Sequence, residues 1–117
     1  MKRLKYPFEG FLYLLRKDYH YFAHLAVGMV VIILSAVLKI SAVEWMFILS
    51  AIFLVLIAEA VNTAIEDVVD LVTKEIRPLA KSAKDVASFG VLLASIYAAT
   101  IGFIIFLPKL LTVFNLI

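Results

Sequence analysis

Cysteine is absent from the 117 residues, which removes disulfide staples, thiolate zinc or iron–sulfur sites and thiol nucleophiles. Histidine occurs only twice, too rarely for a His-rich metal site. Charge is scarce as well: 17% of the residues are charged against 65% hydrophobic, and the mean hydropathy is +1.08. A soluble domain carries about 45–50% apolar and about 25% charged residues, so a water-soluble domain with one small core is excluded. Length is lacking for a two-domain enzyme or a full-size kinase or nucleotide-binding fold, since about 100–150 residues make one domain; residues 1–117 read as a single domain. No Walker A sequence, glycine-rich kinase loop or His-Arg-Asp loop occurs. The net charge of +2 is too balanced to point to nucleic acid.

What is there is apolar sequence punctuated by clusters of charge. No Asp, Glu, Lys or Arg occurs from His24 to Leu38, from Trp45 to Ala58, or from Val86 to Pro108. The third gap, 23 residues long, spans a hydrocarbon core of about 30 Å at the helical rise. The first reaches that length from about residue 21 to 40, with Tyr19, Tyr21 and Phe22 as an interfacial aromatic belt. The second gap has only 14 residues, but its apolar pattern continues to Ile65, so a span over about 44–65 must carry Glu59 and Asn62 at or near membrane depth. Before the spans, residues 4–17 place Leu4, Phe8, Phe11, Leu14 and Leu15 at helical spacing among basic residues, which predicts an amphipathic surface helix. A cleaved signal peptide fits less well, because Glu9 interrupts the apolar stretch and no small-x-small cleavage site follows. The predicted architecture is an all-α integral membrane protein: one surface helix and spans at about 21–40, 44–65 and 86–108.

Lys2, Arg3, Lys5, Arg16 and Lys17 precede the first span, and Lys74, Arg77, Lys81 and Lys84 lie between the second and third. The other link has only Lys39 and the tail only Lys109. By the positive-inside rule the N-terminus and the second link face the cytoplasm and the C-terminus lies outside. Gly90, Ala94, Ala98 and Gly102 recur every four residues, a stripe that lets helix backbones approach closely, within one subunit or between copies. Three spans make a thin bundle, so a homo-oligomer is expected.

Glu59, Asn62, Glu66 and Asp70, separated by three, four and four residues, share one face of the second span. Ionisable groups at membrane depth are costly and mark function by default. Asp67 and Asp70 suit a solvated helix end; Glu59, after 14 uncharged residues, does not. Asp18 before the first span and Asp85 before the third join the same cytoplasmic side, with Arg77, Lys81 and Lys84 nearby. Carboxylate oxygens there suit Mg²⁺ with substrate phosphates, and the cations suit the phosphates themselves. Metal, cations and a carboxylate to deprotonate a hydroxyl make a kit for phosphoryl transfer. Buried carboxylates on a membrane helix equally suit a proton or cation pathway.

The run Ala58-Glu59-Ala60-Val61-Asn62-Thr63-Ala64-Ile65-Glu66-Asp67-Val68-Val69-Asp70, followed by Ala80-Lys81-Ser82-Ala83-Lys84-Asp85, resembles the signature of the small prokaryotic diacylglycerol kinases. That pattern reads E-x-x-N-[ST]-A-I-E-x-x-x-D, a short polar link, then A-K-D. The resemblance covers nearly the whole chain. It implies a surface helix plus three membrane helices per subunit, a homotrimer with active sites shared between subunits, ATP with Mg²⁺, a membrane-lipid substrate, and residence in the cytoplasmic (inner) membrane. It implies Glu59 as proton acceptor for the lipid hydroxyl, Asn62 as a hydrogen-bonding group beside it, and Asp18 and Glu66 as metal and nucleotide ligands. It implies nucleotide contacts from Lys84, Asp85, Glu75 and Arg77.

The pre-span motif departs from the family's E-x-N-x-R-x-H. Asp18 stands for Glu, one methylene shorter, His20 for Asn and Phe22 for Arg; His24 is kept, with a hydrogen-bonded interfacial side chain as its plain reading beside a substrate role. The Asn-Thr-Ala-Ile-Glu form, Pro78 and Pro108-Lys109 resemble the undecaprenol kinases of the family more than its diacylglycerol kinases, and both lipids present a primary hydroxyl. Two other readings stay open: a non-catalytic family member, from the changes around Asp18, and the cation or proton pathway. A pathway needs polar residues along the whole helix, yet Trp45–Ala58 offers only Ser50.

Overall fold

The computed structural model describes residues 2–116, and among them the chain forms four helices and no strand: α1 (Lys2–Lys17), α2 (Tyr19–Val37), α3 (Ala42–Val72) and α4 (Pro78–Val113). Three of them, α2 to α4, are long and apolar enough to cross a membrane. This is the expected all-α architecture, with different helix ends.

The span expected to reach residue 40 stops at Val37. Lys39 turns into the left-handed region at φ 53°, and the amides of Leu38, Lys39 and Ile40 bond back to Leu34, Ala36 and Ser35. The chain then reverses into α3 through a capping box: Ser41 Oγ accepts from the Glu44 amide, and Glu44 Oε1 accepts from the Ser41 amide. α3 does not end near residue 65. Its 31 residues measure about 46 Å at 1.5 Å per residue against about 30 Å of hydrocarbon, so its polar end continues past the membrane as helix. α4 starts eight residues before its apolar gap, at Pro78, where the missing N–H costs nothing because a first-turn amide has no helical partner. Lys81, Lys84 and Asp85 are therefore helical.

α3 and α4 form the tightest pair, with α2 against α3 and α1 against α2. The core gathers at the end holding the α2–α3 turn: Ile40, Ile48, Ile105 and Phe106 are buried, with Val31, Leu34 and Trp45 packed on them. Lys109 reaches Glu44 at 3.3 Å and ties the end of α4 to the start of α3. Gly28 of α2 marks a close approach, since a Cβ there would meet Ile52 Cγ2 at 3.3 Å. In the small-residue stripe of α4, Ala94 is buried, while the two glycines touch no neighbouring helix. A Cβ on Gly90 meets nothing within 4 Å, and one on Gly102 meets only Phe106 of its own helix. Outer faces carry exposed Val30, Ile33, Phe53 and Ile104, as suits helices surrounded by lipid.

Candidate active site

Toward the end opposite that core, residues of all four helices line an open cavity of about 340 Å³. Lys17 and Asp18 line it from the α1–α2 junction, His20 and His24 from α2, Glu59, Asn62, Thr63 and Glu66 from α3, and Ser88 and Val91 from α4. Four of the residues singled out in the sequence, Asp18, Glu59, Asn62 and Glu66, are thus brought to one place.

Asp18 sits there because it separates two helices. Its backbone is extended, and its Oδ1 accepts from the His20 amide at 2.9 Å as the N-cap of α2, where a carboxylate also meets the positive end of the helix dipole. Glu59 is buried at 7% exposure. His24 Nε2 approaches its Oε1 to 2.9 Å, which supplies the partner that a buried carboxylate requires. One turn on, Asn62 Nδ2 donates to Glu66 Oε1 at 3.1 Å. Asn62 Oδ1 is buried without a hydrogen-bond partner.

The rest of the acidic set is held apart. Asp67 turns to the other side of α3, paired with Lys17 and accepting from the Tyr13 hydroxyl at 2.7 Å, so it anchors α1. Asp70 accepts from Lys84 Nζ at 2.7 Å, joining α3 to α4 beyond the membrane-spanning segment; that hydrogen bond to the ammonium holds the Asp70 carboxyl below the usual aspartate range. Asp85 accepts from Lys81 at 2.6 Å one helical turn away, which raises the Lys81 ammonium. Arg77 donates twice to Glu75 Oε2, at 3.0 and 3.2 Å, in the exposed link. The expected nucleotide contacts Lys84, Asp85, Glu75 and Arg77 therefore lie outside the cavity, each engaged with a neighbour.

The sequence does not single out Ser88 or Val91, marks Lys17 only as one of the basic residues before the first span, and does not reveal the partnership of His24 with Glu59. A lone histidine opening a charge-free run, on the same face of α2 as His20, was the signal for the last.

A second cavity, about 320 Å³, begins where the first ends. His24 lines both. Its other walls are apolar or small, including Val27, Gly28, Val55, Ala98 and Gly102, so two small residues of α4 border open space. The buried carboxylate thus lines the polar chamber, and its partner His24 stands where that chamber meets an apolar slot between the spans.

The donor set of the polar chamber suits Mg²⁺. Asp18 and Glu66 offer carboxylate oxygens and Asn62 Oδ1 is an orphaned acceptor, all hard ligands. Among the described residues no three His, Asp or Glu converge into a protein-only metal cage. That fits an ion bound by one or two carboxylates and completed by water and phosphate oxygens.

The family model of prokaryotic diacylglycerol kinase matches residues 5–106. The chain belongs to that family. It is a lipid kinase of the membrane, as the resemblance implied. An undecaprenol kinase of Bacillus subtilis is 40% identical over 95 residues, covering 81% of this chain and 77% of the relative. A diacylglycerol kinase of Synechocystis is 37% identical over 109 residues, covering 92% of this chain and 62% of the relative. A diacylglycerol kinase of Escherichia coli K12 is 37% identical over 67 residues, 57% of this chain and 55% of the relative. The chain therefore spans less than two thirds of these last two.

Proposed function

We propose that this lipid kinase transfers the γ-phosphoryl group of ATP to the primary hydroxyl of a polyprenol, undecaprenol in preference to diacylglycerol. The observation that carries the reading is the position of Glu59, a buried carboxylate lining the polar chamber and paired with His24, the residue that this chamber shares with the apolar slot. A lipid alcohol has that same division, and its hydroxyl would meet Glu59 with its chain in the apolar part. The preference for undecaprenol is supported by the Bacillus relative, which matches over most of both chains.

In this reading Glu59 takes the hydroxyl proton as the oxygen attacks the γ-phosphorus, while ADP leaves. Asn62 orients the reacting groups. Asp18 and Glu66 would hold the Mg²⁺ that accompanies ATP, and bound there it supplies charge stabilisation at the phosphate oxygens. Glu75, Arg77, Lys84 and Asp85 contact the nucleotide once their present ion pairs exchange. Such exposed pairs are worth only about 0–1 kcal/mol, so phosphates can replace them. ATP arrives from the cytoplasm, consistent with the basic residues gathered at that end, and the lipid enters laterally from the bilayer. The chain sits in the cytoplasmic membrane with its N-terminus inside and its C-terminus outside. It assembles as a homotrimer whose subunits share sites; its open chamber and exposed outer faces are compatible with that. Residues 1–117 act as one domain.

The test is transfer of radiolabelled phosphate from ATP in bilayers, with a polyprenol and a diacylglycerol offered side by side. Preferential labelling of the polyprenol is expected; preference for diacylglycerol overturns the substrate assignment, and transfer to neither by folded protein overturns the catalytic one. Glu59→Gln should fold and bind ATP yet turn over at least roughly 10²-fold more slowly, the scale of general-base catalysis. Near-normal turnover would remove Glu59 from the chemistry. Glu66→Gln should raise the Mg²⁺ concentration needed for half-maximal rate, and an unchanged metal titration would count against its ligand role.

A further inference from the structure

We infer that His24 is a positioning residue for Glu59, holding one carboxylate oxygen so that the other is presented to the lipid hydroxyl. The inference rests on the proposed role of Glu59 as proton acceptor. His24 Nε2 lies 2.9 Å from Glu59 Oε1, and among the described residues no other side-chain hydrogen-bond or ion-pair partner reaches that carboxylate. The neighbouring cation, Lys17, is engaged with Asp67, and α4 brings only Ser88 and Val91 to this chamber.

A carboxylate used as a base must stay ionised, and with Glu59 only 7% exposed, water solvates it poorly. An imidazole N–H directed at one oxygen offsets part of that cost and limits the rotamers open to a flexible glutamate. The other oxygen is left for the substrate. In the reaction that oxygen gains the hydroxyl proton as the lipid oxygen–phosphorus bond forms and the bond from the γ-phosphorus to ADP breaks. His24 keeps its own proton throughout, so it acts through Glu59 and not on the phosphoryl group.

The position of His24 matches this duty. It lines both the polar chamber and the apolar slot, on the first helix turns of α2 after the Asp18 cap, so the cap that ends α1 also sets where the imidazole stands. A wrongly aimed base is costly, because a misplacement of about 1 Å can lower a rate about 10²-fold.

The experiment compares His24→Leu, His24→Gln, His24→Asn and Glu59→Gln in the full chain in lipid bilayers, with ATP·Mg²⁺ and whichever of polyprenol and diacylglycerol the wild type phosphorylates. His24→Leu should lower kcat by about 10²-fold with the KM for ATP and for lipid unchanged. His24→Gln, whose amide N–H can reach the same carboxylate oxygen, should recover most of the loss, and the shorter His24→Asn should not. Full kcat in His24→Leu, or equal rates in the Gln and Asn variants, overturns the inference; the Gln–Asn comparison decides it even where His24→Leu does not fold. The control separates the two readings. If Glu59→Gln is inactive while His24→Leu is normal, only the positioning role fails, whereas an active Glu59→Gln removes the base and the positioning role with it.

Discussion

Asn62 makes one hydrogen bond and leaves one acceptor idle. Its Nδ2 donates to Glu66 Oε1 at 3.1 Å while Oδ1 is buried and unpaired. A buried acceptor with no partner costs about 1–3 kcal/mol, and such a cost at a functional site is repaid when a ligand supplies the missing partner. The lipid hydroxyl or the Mg²⁺ that Asp18 and Glu66 would hold can do so. Stability and activity should therefore separate at this position. Asn62→Leu removes the unpaired oxygen and also the bond that fixes Glu66. Its melting temperature in detergent should stay level or rise, while turnover falls at least about tenfold, in the manner of a stability–activity trade-off. A lower melting temperature would mean that Asn62 serves the fold, and unchanged turnover would remove it from the site.

At the scale of the helices, two features join α3 to its neighbours. Gly28 lets α2 close on Ile52, and a Cβ there would already sit 3.3 Å from the Cγ2 of that side chain. Gly28→Val adds two further carbons against the same wall and should destabilise by about 1–3 kcal/mol, the usual cost of overpacking, read as a lower melting temperature with α-helix content retained. The Asp70–Lys84 pair joins α3 to α4 outside the membrane. Because Asp70 titrates below its ordinary range in the folded protein, its contribution is full above the unfolded aspartate value, about 3.9, and is lost as pH falls through the lower folded value. Asp70→Asn should flatten the acid end of the stability–pH curve and leave its neutral end nearly level, since the pair is exposed. The spacing of Glu59, Asn62 and Glu66 was enough to place them on one face, because a helix has a fixed period. That period says nothing of how one helix is rotated against another. For that reason the His24–Glu59 contact, 35 positions apart, the partnership of Lys84 with Asp70 and the open space beside Ala98 and Gly102 were illegible. The extent of the helices beyond the spans was legible only in part: the shared face of Glu66 and Asp70 carried the second helix past residue 65, whereas the start of α4 at Pro78 gave little apolar signal, its first turns being supported by pairs such as Lys81–Asp85 that satisfy charge along the helix.

Over the whole molecule, length and charge divide the chain into two ends. The Ser41 turn, with Glu44 and Lys109, caps the one near the buried core. At the other, α3 and α4 extend past any hydrocarbon thickness and carry the chamber, the link at residues 73–77 and the basic residues. The positive-inside rule predicts that second end in the cytoplasm, and the proposed ATP-dependent transfer predicts the same orientation. The absence of cysteine makes this directly measurable, because any single introduced thiol is the only one. Ile76 in the link is 97% exposed, and Ala42 at the opposite end is also exposed. With a membrane-impermeant maleimide, Ile76→Cys should be labelled in inside-out vesicles and protected in right-side-out ones, and Ala42→Cys should show the reverse. If Ile76→Cys were instead labelled from outside, the chamber holding Glu59 and Glu66 would face away from the nucleotide, and an ATP-dependent kinase of this orientation could not work.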